Sequence, residues 1–344
     1  MKILELSSEL VQYYDKYLLS KECSLFYYSS KYRNFIRKLL GCNEEYLVAI
    51  EDGTIHGVLP LMYNQVNSWH VYNSLPYYGS NGGILADNDK AHNELLNAYN
   101  EIAQRENTLS CTMITNPLIE QRLSGVLYNY TDYRIGQLTR LSAKIDDWQG
   151  LLGRIEPSAR RNIKKALREN ITVEVEHNQL KWLYKMHLQN IQGIGGIPKS
   201  KEFFTLIPQY FIPGEDFDLY VAKLDGVVIA GLLVFYFNQI VEYFTPAIDR
   251  EYRSTQPLSL IIMYGMTEAA KRGFKWWNWG GTWPSQVGVY RFKKKWAAIE
   301  RKYYYYTQLN NRSILQWPRD KILKIFPNFF IVPFSALNSV GNHE

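Results

Sequence analysis

YLVAIEDGTIHGVLPLMYNQ (46–65) and YVAKLDGVVIAGLLVFYFNQ (220–239) carry one pattern twice. Each begins with an apolar run, turns at Asp-Gly and resumes with a second apolar run near a glycine. Each then meets Asn-Gln, which reads as another turn. Asp-Gly between such runs is a strong hairpin signal, because a two-residue turn needs positive φ at both central positions. Asp52-Gly53 and Asp225-Gly226 lie 173 positions apart, and Asn64-Gln65 and Asn238-Gln239 lie 174 apart, in a chain of 344. That offset is half the chain, so the pattern predicts a duplicated α/β domain.

The parallel extends downstream. SLPYYGSNGGILADND (74–89) leads into the helical stretch KAHNELLNAYNEIAQREN, and TPAIDREYRSTQ (245–256) leads into PLSLIIMYGMTEAAKRG. Pro257 suits a first helical turn, where its missing N–H costs nothing, and Gly273 suits the stop. A short strand is expected after each helix, LSCTMI (109–114) and FKWWNWG (274–280). SARRNIKKALREN (158–170) opens the second half as a helix with Ile163, Ala166 and Leu167 as its apolar stripe. Its five cations form either a solvated face or a grip on a phosphate. KYYYYT (302–307) reads as a strand, since tyrosine suits a half-buried pleated surface. The prolines of KILKIFPNFFIVPF (321–334) break any long amphipathic helix, so this tail is expected to pack on the body, with contact to an anionic membrane as the alternative. The expected boundaries are 1–150, 151–312 and a tail, 313–344.

Composition narrows the chemistry. A hydrophobic share of 46% and a charged share of 21% mark ordinary globular material. Thirty-nine basic against 33 acidic residues leave a net charge of +6, which suits anionic ligands but is too mild for a dedicated DNA-binder. Aromatics reach 15%, an excess that often lines clefts for sugars, bases or peptides. Three cysteines without a CxxC pair exclude a zinc ribbon and argue against a disulfide framework. No apolar run approaches the roughly 20 residues of a membrane span, and the N-terminus is charged too early for a secretory signal, so a cytoplasmic location is expected. HExxH, GxSxG, a Walker lysine loop and GxGxxG after a strand are all missing, and GIGGIPK (193–199) follows an apparent helix rather than a strand.

Four segments together resemble the Fem-type branch of the GNAT acyltransferase superfamily, proteins of two tandem GNAT-like domains also known as FemAB-like or BioF2-like. They are SLPYYGSNGGIL (74–85), SARRNIKKA (158–166), the stretch from TPA through QPLSLIIMYGMTEAAKRGF (245–274), and WNWGGTWPSQVGVYRFKKKWAA (277–298). The resemblance implies two tandem GNAT-like domains in an α/β (α+β) chain, each a mixed, largely antiparallel sheet flanked by helices. It implies an acyltransferase that moves an aminoacyl or short acyl group to a primary amine of a cell-envelope precursor, a peptidoglycan-type peptide or an amino sugar. The donor would be aminoacyl-tRNA or acyl-CoA, with no tightly bound cofactor or metal. Partners would be a small or lipid-linked acceptor and, for the first donor, tRNA. Ordinary GNAT enzymes hold the coenzyme A pyrophosphate on a glycine-rich turn at a helix N-terminus. Here that turn reads YRSTQPLS (252–259), with no glycine, which favours the aminoacyl route. The alternatives are an acyl-CoA-dependent N-acetyltransferase acting on an amino sugar in polysaccharide biosynthesis, and a non-catalytic carbohydrate- or RNA-binding module.

Amide formation needs a placed acceptor, removal of its proton and stabilisation of the tetrahedral oxyanion. The resemblance assigns the oxyanion role to Lys293 of the Phe292-Lys293 pair; the alternative for Lys293 to Lys295 is a basic strand edge. Tyr243 is expected to relay a proton or orient substrate. Asp87 is expected near the amine, or else as the cap of the following helix. Tyr77 and Tyr78 would border the acceptor channel. Tyr290, Asn278, Gly281 and Trp283 would line the site around a Gly280-Gly281 turn. Arg160, Arg161, Lys164 and Lys199 would hold acceptor phosphates.

Overall fold

The computed structural model describes residues 1–77, 81–119, 124–141 and 148–337. Two compact units emerge, Met1–Arg134 with Lys302–Glu344, and Ile135–Arg301. The boundaries expected at 150/151 and 312/313 differ from these. The chain returns to the first unit inside the tyrosine strand, whose Tyr305–Leu309 segment pairs with Ser110–Ile114. The tail belongs to that unit too, with Phe326, Phe329, Ile331 and Val332 buried.

The first unit holds β1 (Lys2–Glu5), α1 (Val11–Leu19), α2 (Ser30–Leu40), β2 (Asn43–Glu44), β3 (Leu47–Glu51), β4 (Thr54–Leu59), β5 (Met62–Val66), β6 (Trp69–Asn73), β7 (Leu85–Ala86), α3 (Asp89–Ala103) and β8 (Thr108–Ile114). β9 (Tyr130–Arg140) then carries the chain into the second unit. There follow α4 (Trp148–Leu152), α5 (Pro157–Arg168), β10 (Thr172–Val175), α6 (Leu180–Gln192), α7 (Lys201–Tyr210), β11 (Phe217–Leu224), β12 (Val227–Phe237), β13 (Ile240–Ile248), α8 (Pro257–Lys271), β14 (Trp276–Thr282) and α9 (Val287–Lys294). β15 (Ile299–Leu309) leads back to the first unit, which closes with α10 (Arg319–Ile325).

Both Asp-Gly hairpins form, β3–β4 and β11–β12, with φ positive at Asp52, Gly53, Asp225 and Gly226. Each carries a one-residue bulge at the same distance from its turn, between Ala49 and Ile50 and between Ala222 and Lys223. A shared irregularity is stronger support for duplication than shared strands, because a bulge is a local feature that a sheet does not require. Asn238-Gln239 is a turn as expected, between β12 and β13. Asn64-Gln65 is not: both lie inside β5, and the reversal comes at Asn67, whose φ is +55°.

In the first unit the strands run β1–β3–β4–β7 in one sheet and β15–β8–β6–β5–β2 in the other order. In the second they run β10–β11–β12–β13–β14–β9. β6 pairs with β8, and β13 with β14, in parallel. A parallel pair needs a crossover, and α3 and α8 supply it. α3 also buries one stripe in its own core, whereas α8 is buried over most of its surface. Leu95, Leu96, Tyr99 and Ile102 of α3 meet Leu47, Leu59 and Met113, while Leu260, Ile261, Met263 and Met266 of α8 meet Tyr220, Trp277 and Ile163 of α5. α5 buries Ala159, Ile163 and Ala166, a helical stripe. Leu167, expected in that stripe, is exposed, because it falls one position past the inward face.

Candidate active site

The second unit concentrates its chemistry where β13 and β14 part. Their parallel pairing runs from Ile240 with Trp276 to Glu242 with Asn278 and ends there, although both strands continue. On β13 a bulge inserts Phe244, since Tyr243 faces Val234 while Thr245 faces Leu233. On β14 the register with β9 slips between Asn278 and Gly281, and Gly280 has φ of +69°. The Gly280-Gly281 feature is thus a bulged strand end rather than a free turn. Two bulged strands diverging from one point leave an opening lined by backbone that is not committed to a ladder.

At the last paired rung Glu242, 1% exposed, accepts both hydrogen bonds from the Asn278 amide, at 2.9 and 3.1 Å. The Asn278 Oδ1 in turn accepts from the Gly280 N–H at 3.0 Å, which holds the bulge. Tyr243 packs against Trp277 and Trp279, and burial pushes its phenol up. Thr245 is buried, and its hydroxyl has no hydrogen-bond partner.

Lys293 projects from α9, whose other residues are exposed or half-buried. Its ammonium donates to the Thr282 hydroxyl at 2.8 Å and to the Gly281 and Gly280 carbonyls at 3.2 and 3.4 Å. Burial pulls its pKa down to about 7. Thr282 continues to the Gln137 side-chain oxygen at 3.4 Å, and Gln137 donates to the Tyr290 carbonyl at 3.1 Å. The lysine run is helical here rather than a strand edge, and the helix turns only Lys293 inward. Phe292 meets the Trp279 ring edge-on, and Tyr290 bonds Glu300.

Lys293, Gly281, Asn278, Tyr243 and Phe292 therefore gather around one strand end. Trp283, 39% exposed, follows immediately. Other residues from the sequence reading sit apart. Arg161 and Lys164 are exposed on α5, and Arg160 donates to the Leu152 carbonyl. Lys199 lies over the Phe203 and Phe244 rings, with its N–H bonded to His187 and its ammonium pKa lowered by burial to about 8. At the start of α8, Gln256 takes φ of +64°, Pro257 has no N–H, and the Ser259 N–H is engaged by the Gln256 carbonyl at 3.1 Å.

In the first unit, Asp87 pairs with Lys21, accepts from Tyr17 at 3.2 Å and faces His56 at 3.5 Å. It does not cap α3; Asn88 does, accepting from the Ala91 N–H. Asp87 lines a cavity of about 150 Å³ together with Asn88, His92, Thr115, Asn116 and Tyr306. Tyr77, at φ of +82°, donates its N–H to Asn328 of the tail. Tyr78 lies outside the described residues. Among the described residues no cluster of three or more His, Cys, Asp or Glu could hold a metal ion, and no helix is long and apolar enough to cross a membrane.

Sequence reading missed Thr282, Gln137 and Glu242. Glu242 had a signal, a lone carboxylate inside the apolar run IVEYF. Thr282 and Gln137 had none, since 145 positions separate them.

Residues 157–294 match the family model described as acetyltransferase (GNAT) domain. No curated protein matches the chain. Among solved structures it is similar to FemX, at 16% identity and a TM-score of 0.68 over 91% of this chain and 98% of that one. It is also similar to the C-terminal domain of a putative lysylphosphatidylglycerol synthetase from Agrobacterium fabrum, at 13% identity and 0.54 over 92% and 96%. A tandem GNAT protein from the clavulanic acid biosynthesis pathway gives 11% and 0.51 over 89% and 97%. Residues 157–294 are thus a GNAT-type acetyltransferase domain, in a chain whose fold is the tandem GNAT fold that FemX shares, and the protein is an acyltransferase of the GNAT type.

Proposed function

We propose that the protein transfers an aminoacyl or short acyl group to a primary amine of a cell-envelope precursor. The observation that carries this reading is the buried Lys293 ammonium, aimed at the open end of β14 with the Gly280 and Gly281 carbonyls as its weaker partners. An acyl carbonyl entering that opening takes over one of these N–H bonds as its oxygen gains charge, a gain concentrated in the transition state. The amine attacks the acyl carbon directly, the carbon–oxygen or carbon–sulfur bond to the donor breaks with its electron pair going to the donor, and the proton shed by the amine ends on that departing oxygen or sulfur; no covalent enzyme intermediate is needed. Tyr243 orients the acyl group from the facing strand, and Asp87 with Tyr77 and Tyr78 serves the acceptor. The basic side chains Arg160, Arg161, Lys164 and Lys199 hold phosphates of donor or acceptor.

The α8 N-terminus favours aminoacyl-tRNA over acyl-CoA. A pyrophosphate site there relies on free N–H groups, and this helix has a proline and an engaged serine N–H in its first turn. Calorimetric titration with acetyl-CoA and, separately, with charged tRNA tests the point. Salt-sensitive tRNA binding without a coenzyme A signal is expected. Saturable micromolar acetyl-CoA binding would overturn the aminoacyl route in favour of an amino-sugar N-acetyltransferase.

A further inference from the structure

Beyond Thr282 the chain leaves the core abruptly. All of residues 283–289 are exposed, although four of the seven are Trp, Pro or Val. Val287 and Val289 are 49% and 43% exposed. The turn that presents them is closed twice: Gln286 donates its N–H to the Trp283 carbonyl at 2.9 Å and accepts the Trp283 N–H on its side-chain oxygen at 3.2 Å. α9 then carries Val287, Arg291 and Lys294 on one face, at i, i+4 and i+7, and all three are exposed. Lys293 points the other way, into the site. Over residues 283–301 the charges at the surface are Arg291, Lys294, Lys295 and Arg301 against Glu300, which Tyr290 bonds.

A second apolar edge stands at the same end of the sheet. Asn190 of α6 clasps Ile248, the last residue of β13, accepting its N–H and donating to its carbonyl, each at 2.9 Å. The glycine-rich loop that follows α6 holds Ile194 and Ile197 at 79% and 60% exposure. Because β13 and β14 run parallel, this loop and Trp283 flank the same end of the two strands, where the site opens.

Exposed apolar patches with polar rims mark interaction sites. An RNA backbone would meet the cations but gives the aliphatic side chains no apolar partner. A protein partner would cover the aliphatics, but the centre of such an interface is depleted of lysine. An anionic bilayer accommodates both. Apolar tips and tryptophan enter the headgroup boundary, and long cationic side chains reach the lipid phosphates.

We propose that α9 and residues 283–289, with the 194–197 loop beside them, dock on the surface of an anionic phospholipid bilayer. The docked protein turns the open end of β13 and β14 towards the lipid, so the amine it serves is carried by a lipid-anchored molecule. This last point rests on the acyl-transfer reading; the docking does not. Docking is read by co-sedimentation with vesicles of phosphatidylcholine alone and of phosphatidylcholine mixed equally with phosphatidylglycerol. The proteins are wild type, the double variants Val287→Asp/Val289→Asp and Arg291→Glu/Lys294→Glu, and Ile212→Asp, which alters an exposed residue at the other end of the sheet. Wild type should bind the mixed vesicles in a salt-sensitive way and phosphatidylcholine at least tenfold more weakly. Each double variant should lose tenfold or more in affinity and Ile212→Asp nothing, with melting temperatures matching wild type. No binding to the mixed vesicles, equal binding to both compositions, or a well-folded double variant that binds as wild type would overturn the docking. A cation variant that keeps the vesicles and loses transfer RNA would assign the face to RNA. A wild-type dimer that the valine variant dissociates, with no vesicle binding, would assign it to a second copy.

Transfer is assayed separately, with charged tRNA and acetyl-CoA in turn as donor, onto a lysyl peptide free in solution and the same peptide lipid-anchored in the mixed vesicles. The anchored peptide should be acylated at least tenfold faster, and equal rates would overturn the placement of the site at the bilayer. Acylation of neither peptide leaves the docking intact and removes the acyl-transfer reading.

Discussion

The Lys293 ammonium donates to the Thr282 hydroxyl at 2.8 Å, tying the one buried residue of α9 to the last residue of β14. The hydroxyl is the shortest of three oxygen partners, so it fixes where the ammonium points. Thr282→Val removes it without changing shape. Transfer activity should fall about tenfold, at a stability cost of about 1–3 kcal/mol, and Thr282→Ser should restore most of both. Activity and urea denaturation on the three proteins check this.

Lys293→Met keeps the stem and deletes the charge. Loss of one oxyanion donor typically costs about 10²–10³ in rate, so kcat should fall by that order with KM for the donor little changed. The ammonium is the active form, and burial places its pKa at about 7. The ratio of wild-type to Lys293→Met activity should therefore decline as pH rises through about 7, whatever the acceptor amine itself does.

The same depressed pKa makes a stability prediction of definite sign. Between about 7 and the ordinary lysine range the unfolded chain binds a proton that the folded chain does not, so folding stability rises with pH there. The contribution is fully present above the unfolded value and is lost as pH falls to about 7. Wild type should gain stability relative to Lys293→Met between pH 7 and 9, as read from paired denaturation curves.

Asn278→Leu strips two hydrogen bonds from the buried Glu242 carboxylate and one from the Gly280 N–H. The cost should be about 2–4 kcal/mol, since the change leaves buried polar groups without their partners. Asn278→Asp should be worse than Asn278→Leu, because it buries a second acidic group against Glu242 with no N–H between them. Thermal melts of the two variants rank them.

The tail is pinned by a reciprocal pair: Asn73 donates to the Phe330 carbonyl and accepts the Phe330 N–H, each at 2.7 Å. Asn73→Ala leaves two backbone groups unsatisfied and should cost about 1–3 kcal/mol. Limited proteolysis should then cut in 319–337 sooner than in wild type.

Much of the fold was legible because its signals are local. Asp-Gly turns, the Pro257 and Gly273 limits of α8 and the α5 stripe each depend on residues a few positions apart. The Asn64-Gln65 error has the same origin: Asn67 is as good a turn residue, and only the β5–β6 register decides between them. Lys293 was legible through family resemblance, since a run of three lysines does not say which one a helix turns inward. Its partners were not legible, because Thr282 and Gln137 are brought together by strand pairing alone. The first unit's limits were hidden for a similar reason, the late return of β15.

That return bears on how the protein is made. The second unit, Ile135–Arg301, is continuous in the chain, whereas the first needs residues on both sides of it. During synthesis the first 134 residues leave the ribosome without the β15 segment that pairs with β8, and they must wait for the whole second unit to be translated. The acyltransferase domain can thus fold first, while β8 waits with one edge unpaired, exposed to chaperones and to mispairing. A short pause in translation near residue 300 would prolong that wait.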